Sequence, residues 1–357
     1  MTQIHNFSAG PSILPKEVLQ EASEAVVNFN NLNLSLLEIS HRSVDFVNVM
    51  DEAISLVKEL LKAPEGYEVL FLQGGASLGF LTAAYNFMKK DGMAAYINTG
   101  TWASKALEAA KFLGEVKVIG SSEDKNFNFI PKGLGVPMDA SYLHYTSNNT
   151  VYGTHFKKIP VVRCPLICDM SSDIFSHQFD LEKYDLIYAG AQKNMGPAGT
   201  TMYIVKEHSL GKTRTEIPVM LDLRTHIKKG SMYNTPPVFA VYVSMLNMRW
   251  IKAQGGVAEM ERKSDEKAHI LYHQIDENPL FYGTADKIDR SHMNVTFKLH
   301  DESLKDEFDE MWKGAGIVGL NGHRSVGGYR ASMYNALPIE SAQVLVDVLA
   351  EFAKKKG

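Results

Sequence analysis

Hydrophobic and polar positions alternate along this chain in two rhythms. Val47, Met50, Ile54, Val57 and Leu61 recur at steps of three and four, the spacing of a helix that buries one face. Short, largely apolar runs then appear at 69–72, 94–97, 116–119, 142–145, 166–168, 186–188 and 202–205, and the stretch 78–88 between the first two has helical character. Such runs, separated by helical stretches, predict strands covered on both faces, hence a mostly parallel sheet in an α/β fold. A longer helical stretch, 239–252, leads into Gln254-Gly255-Gly256, and the chain is expected to divide there. Residues 1–254 form a large domain and 255–357 a smaller α+β one, with strands at 294–298 and 329–333 and a last helix on which Val346, Leu349 and Phe352 share a face. No internal repeat or low-complexity linker interrupts this pattern.

Composition narrows the classes of function. With 357 residues, of which 45% are apolar and 22% charged, the chain is expected to be a soluble globule of more than one core. Thirty-seven Lys and Arg against 41 Asp and Glu leave a net charge of −4, with no basic field for nucleic acid and no polybasic arm for a membrane. No apolar run approaches the ~20 residues that span a bilayer. Cys164 and Cys168 are the two cysteines, too few for a disulfide framework and without the second pair that a zinc site needs. No metal site is expected. Residues 1–8 lack a basic start followed by an apolar run, so a cytoplasmic setting is expected and the Asn-x-Ser/Thr triplets at Asn6, Asn148 and Asn294 are read as chance.

Candidate chemistry collects just after the apolar runs, where open α/β sheets bind ligands. Leu72-Gln73-Gly74-Gly75-Ala76-Ser77 reads as strand, glycines and helix start. Free N–H groups there could face an anion, with Ser77 as a cap or a hydroxyl donor; an ordinary strand-to-helix turn has the same pattern. Asp169 emerges from Ile167-Cys168, either as a cap or as the partner of a protonated heterocycle, since a buried carboxylate needs one. Lys193 follows the run 186–188 and precedes Gly196-Pro197-Ala198-Gly199. Partial burial would fit it for Schiff-base chemistry, whereas most lysines are solvated. Trp102 follows Asn98-Thr99-Gly100-Thr101, placed either to stack on a planar ring or to fill a core. A planar ring, a ring nitrogen, an aldehyde and a phosphate together describe pyridoxal 5′-phosphate.

A second group is cationic. Ser40-His41-Arg42-Ser43 and Gly322-His323-Arg324-Ser325 repeat a His-Arg-Ser triplet, and Arg330 follows the second. Arginine grips carboxylate and phosphate through two N–H bonds, so a dianionic substrate is expected; scattered surface arginines are the plain alternative. His269 and His273, four apart, lack the carboxylate that would complete a metal-binding helix, and Met245 and Met248 read as packing residues.

From Asn6-Phe7-Ser8-Ala9-Gly10-Pro11 through the lysine segment to Arg330, the chain resembles the phosphoserine aminotransferase family, within the class V, fold type I pyridoxal-phosphate enzymes. Further matching segments are Ser147-Asn148-Asn149-Thr150 and Tyr233-Asn234-Thr235-Pro236-Pro237. The resemblance implies a seven-stranded mostly parallel sheet with a smaller C-terminal domain on which the first ~15 residues pack. It implies Lys193 as the Schiff-base lysine and general base, Asp169 as partner of the pyridine nitrogen, and Trp102 stacked on the ring. Thr150 would lie near the ring oxygen or Asp169, while Ala76, Ser77 and Gln192 hold the phosphate. Asn234 and Thr235 would reach the phosphate in the neighbouring subunit, making a homodimer with shared sites. Arg330 would hold the substrate α-carboxylate, and His41, Arg42, His323 and Arg324 the distal anion. Some members carry Arg where this chain has Ser77, which shifts distal-anion work onto the His-Arg pairs. The implied reaction converts 3-phosphohydroxypyruvate and L-glutamate to phosphoserine and 2-oxoglutarate in serine biosynthesis. Some bacterial members also serve pyridoxine biosynthesis by forming 4-phosphohydroxythreonine. A cysteine desulfurase would need a mobile catalytic cysteine, and an alanine-specific class V enzyme would not need the extra His-Arg pairs.

Overall fold

The computed structural model describes residues 3–213 and 216–356. Seven strands form the main sheet: β1 (Tyr67–Leu72), β2 (Met93–Asn98), β3 (Glu115–Ser121), β4 (Leu143–Thr146), β5 (Leu166–Asp169), β6 (Leu186–Gly190) and β7 (Thr201–Lys206). Their order is β1-β7-β6-β5-β4-β2-β3, all parallel except β7, which runs antiparallel to both of its neighbours. Each predicted run falls in one of these strands, the run 142–145 starting one residue before β4. Alternation along a strand explains the double coverage. Val69 and Phe71 point into one apolar layer with helices α1 (Lys16–Val27), α2 (Val44–Leu60) and α5 (Val238–Ala253), whereas Leu70 and Leu72 point into the other with α3 (Gly75–Phe87) and α4 (Thr101–Ala110). Met245 and Met248 are core residues of the first layer.

The run 116–119 departs from the expected burial on both faces. It lies in β3 at the sheet edge, with a single neighbouring strand, and Val118 is 45% exposed. An apolar run therefore marked a strand there without marking a covered one.

The C-terminal part carries a three-stranded antiparallel sheet in the order β8 (Phe281–Gly283), β9 (Asn294–Leu299), β10 (Tyr329–Ser332), with helices α6 (Gly256–Glu277), α7 (Lys305–Gly314) and α8 (Ile339–Lys356). Phe281, Phe297, Phe308 and Phe352 anchor its core, which also takes in Phe7 from the N-terminal segment. Strand residues His5–Asn6 pair in parallel with Ile317–Val318 of this lobe. Helix α6 belongs to both parts: Val257 and Met260 pack in the first core, Ala268, Leu271 and Ile275 in the C-terminal one. Buried polar groups join the two. Asn148 donates to Asn294 Oδ1 and Ser172 Oγ, both at 2.8 Å, and Asn194 Oδ1 accepts from the Asn335 amide at 2.9 Å. Asn148 and Asn294 are thus structural amides, in keeping with their triplets arising by chance.

Candidate active site

The carboxyl ends of β1, β2, β5 and β6 converge where the C-terminal lobe meets the sheet. Asp169 is the last residue of β5 and is 3% exposed. Its Oδ1 accepts from the Ser171 amide at 2.9 Å and the Ser171 hydroxyl at 2.6 Å, and the same hydroxyl accepts from the amide of Gly190 at the end of β6. Burial pushes the Asp169 carboxyl up, while the Ser171 bonds and the Lys193 cation pull it back.

Lys193 stands three residues beyond β6 and is 9% exposed. Two bonds from the N-terminal segment fix its loop: the Ser12 amide donates to the Gln192 carbonyl at 3.0 Å and the Ser12 hydroxyl to the Lys193 carbonyl at 2.7 Å. Lys193 Nζ donates to Thr150 Oγ1 at 2.9 Å. Burial pulls the amine down to about 8, opposed by Asp169 and Asp173 and reinforced by Arg330. Lys193 and Asp169 are therefore close enough to shift each other's proton affinity.

Arg330, on β10, donates through Nη1 to the Thr150 carbonyl at 3.3 Å, while its buried Nε has no acceptor among the described residues. His323 lies in the field of Arg330, Arg324 and Lys105, which together with burial lower its proton affinity. Lys105 Nζ is 4.8 Å from the Trp102 ring centroid, so the C-terminal cations and the first turn of α4 face one space. Trp102 packs at the margin of the second apolar layer, its buried Nε1 also without an acceptor.

Helix α3 begins at Gly75, after Gly74 at φ 106° and with Gly75 at φ 64°, conformations that a side chain would strain. Gly74 is the N-cap, so Ser77 does not cap this helix: it sits two residues inside, its hydroxyl exposed. A Cβ on Gly190 would come within 3.6 Å of the Ala76 nitrogen, so the open end of α3 lies over the end of β6 beside Gln192. Gln73 Nε2 donates to the Thr235 carbonyl at 2.6 Å, bringing the 234–235 segment against the glycine turn of its own chain, with Thr235 exposed.

The first His-Arg-Ser triplet sits apart from the second. His41 and Arg42 precede α2, whose N-cap Ser43 accepts from the Phe46 amide at 3.4 Å. Arg42 is exposed, His41 Nε2 is buried without a partner, and among the described residues no bond links either to 323–330. Cys168 is fully buried within β5 and Cys164 half-buried beside it, so neither is presented on an exposed loop. His269 and His273 lie on the exposed face of α6.

Sequence reasoning missed Ser171, Ser12, Lys105 and Asp173. Ser147 Oγ stands 3.1 Å from the Asp169 carbonyl and 2.5 Å from Asp173 Oδ1, and burial pushes the Asp173 carboxyl up to about 6. The one available signal for Asp173 was its place four residues after Asp169.

The family model for class-V aminotransferases matches residues 4–345. A phosphoserine aminotransferase of Flavobacterium johnsoniae is 60% identical over 352 residues, covering 98% of this chain and 99% of that protein; one from Bacteroides fragilis is 54% identical at the same coverage. Among solved structures, the phosphoserine aminotransferase of Bacillus circulans subsp. alkalophilus superposes with a TM-score of 0.96 at 43% identity, covering 99% of each chain. The pyridoxal-phosphate-bound phosphoserine aminotransferase of Trichomonas vaginalis does so at 0.92 and 35%, covering 98% of this chain and 100% of that one. The fold is that of the fold type I transferases, and the chain belongs to the class-V aminotransferases, within the phosphoserine aminotransferase family.

Proposed function

We propose that this chain transfers an amino group reversibly from L-glutamate to 3-phosphohydroxypyruvate, giving 2-oxoglutarate and phosphoserine, with pyridoxal 5′-phosphate as cofactor. The observation that carries the reading is Lys193: a buried amine held by Thr150, opposite a buried carboxylate and within the field of Arg330. The residues present fit the cofactor. The open end of α3 with Ala76, Ser77 and Gln192 suits a phosphate, Trp102 offers a ring face, and Asp169 offers a carboxylate for a ring nitrogen. When bound, the cofactor supplies an electron sink that stabilises negative charge at the substrate Cα.

The protein's own groups do the rest. Asp169, with its carboxylate held by Ser171 and facing the Lys193 amine, would pair with the ring nitrogen and hold a proton there. Lys193 Nζ, with its proton affinity lowered by burial, takes the Cα proton and returns it, as general base and then acid. Thr150 orients that amine through Oγ1 and Arg330 through its carbonyl. The unpaired Arg330 Nε is a donor for the substrate α-carboxylate. His323 and Arg324 take the distal anion, γ-carboxylate or phosphate in turn, because both present anionic oxygens. His41 and Arg42, which make no bond to that cluster among the described residues, are read as reaching the neighbouring subunit's site, as are Asn234 and Thr235, and the exposure of Thr235 supports a homodimer with shared sites. The pathway reading is serine biosynthesis in the cytoplasm, with the pyridoxine-pathway substrate 4-phosphohydroxythreonine as a second use of the same anion site.

A panel of oxo acids tests the substrate reading. Phosphorylated hydroxypyruvate should be preferred over the unphosphorylated acid by about 10²-fold or more in kcat/KM, the value of one or two charge-assisted bonds to phosphate. Equal rates would remove the phosphate from the assignment.

A further inference from the structure

Flanking Asp169 along the chain is a second polar cluster, for which the transamination reading has no role. His155, on the short strand Thr154–His155, faces Asp173, and His177 lies four residues beyond Asp173. One ligand atom from each of the three falls within 4.8 Å of the others. Asp173 is 1% exposed, and among the described residues its Oδ2 has no hydrogen-bond donor although Oδ1 is held by the Ser147 hydroxyl. His155 Nε2 is 3.3 Å from that Oδ2, yet it too is buried without a hydrogen bond, because the two atoms meet off the donor axis. A separation of about 3.3 Å is the edge of a tetrahedron with metal–ligand bonds of ~2.0 Å. Asp173 and His177 also line a cavity of about 580 Å³ with His155 at its wall, leaving a path for entry and space for a fourth ligand.

We propose that His155, Asp173 and His177 form a binding site for a divalent transition-metal ion of the zinc class, completed by water from this cavity. Two imidazoles and a carboxylate are a donor set that zinc accepts with one position left open. Burial holds both imidazoles neutral, the form that ligates, at about 3 for His155 and about 4 for His177. Outer partners orient the ligands: Ser147 holds Asp173, and Ser176, which donates to the Asp173 carbonyl at 2.6 Å, contacts His177 Nδ1 at 3.2 Å. Lys157, which also lines the cavity, opposes a cation, but it contacts His292 at 3.2 Å, and the carboxylates of Glu261 and Asp265 line the same cavity. The expectation of no metal, drawn from the cysteines, is at odds with this set, which two segments distant in sequence assemble, one bearing His155 and the other Asp173 and His177.

Calorimetric titration of the chelator-treated, untagged holoenzyme with zinc chloride tests the site. One zinc per chain should bind with micromolar or tighter affinity. Substituting His177→Gln or Asp173→Asn should weaken binding at least tenfold, while His273→Gln, on the exposed α6 pair, leaves it unchanged. Should Asp173→Asn fail to fold, His177→Gln, at a half-exposed position, still decides the matter. Absence of saturable binding, or binding lost with His273→Gln and kept with His177→Gln, overturns the proposal.

Discussion

At the scale of single residues, the amine of Lys193 sets the pH behaviour. Burial disfavours its charged form, so the neutral nucleophile predominates above about 8 and falls about tenfold for each pH unit below it. Capture of pyridoxal phosphate by the cofactor-free chain, followed by growth of the visible absorbance, should therefore accelerate about tenfold from pH 6 to 7 and level off above 8. A rate flat over that range would mean that the amine is already neutral. Lys193→Ala should show no such absorbance. Arg330 offers a second test, because a lysine there would keep the charge and lose the fork with its unpaired Nε. Arg330→Lys should raise the KM for glutamate about tenfold, equivalent to ~1.4 kcal/mol, with a smaller change in kcat.

At the scale of elements, each strand of the main sheet was legible because an apolar run needs no partner to be recognised. The exposure of β3 was not, since burial depends on which strands and helices lie alongside. The site was legible to a similar degree. Lys193 and Asp169 announced themselves by following apolar runs, but Ser171, Lys105 and the His155–Asp173 pair acquire meaning only through contacts between segments distant in sequence. Placement of α3 depends on another such contact. Gly79 faces the Tyr188 ring of β6, and a Cβ there would stand 2.8 Å from it. Gly79→Ala should push the helix off the sheet at a cost of about 1–3 kcal/mol. A lowered Tm together with weaker cofactor retention is expected; weaker retention is the part that tests whether the open end of α3 holds the phosphate.

At the scale of the whole molecule, shared sites make a prediction that a self-contained monomer does not. Lys193→Ala chains and Asn234→Ala/Thr235→Ala chains should each be impaired alone. Refolded together in equal amounts, half of the dimers would be mixed, and each mixed dimer would hold one intact site, restoring about a quarter of the wild-type rate by random pairing. No recovery would confine Asn234 and Thr235 to their own chain. The N-terminal segment bears on the same scale. It hydrogen-bonds as a strand to Ile317–Val318 of the C-terminal lobe, buries Phe7 there, and a few residues later grips the backbone at Gln192 and Lys193 through Ser12. It therefore acts as a tether: a rotation of the C-terminal lobe tugs directly on the loop that bears the reactive amine.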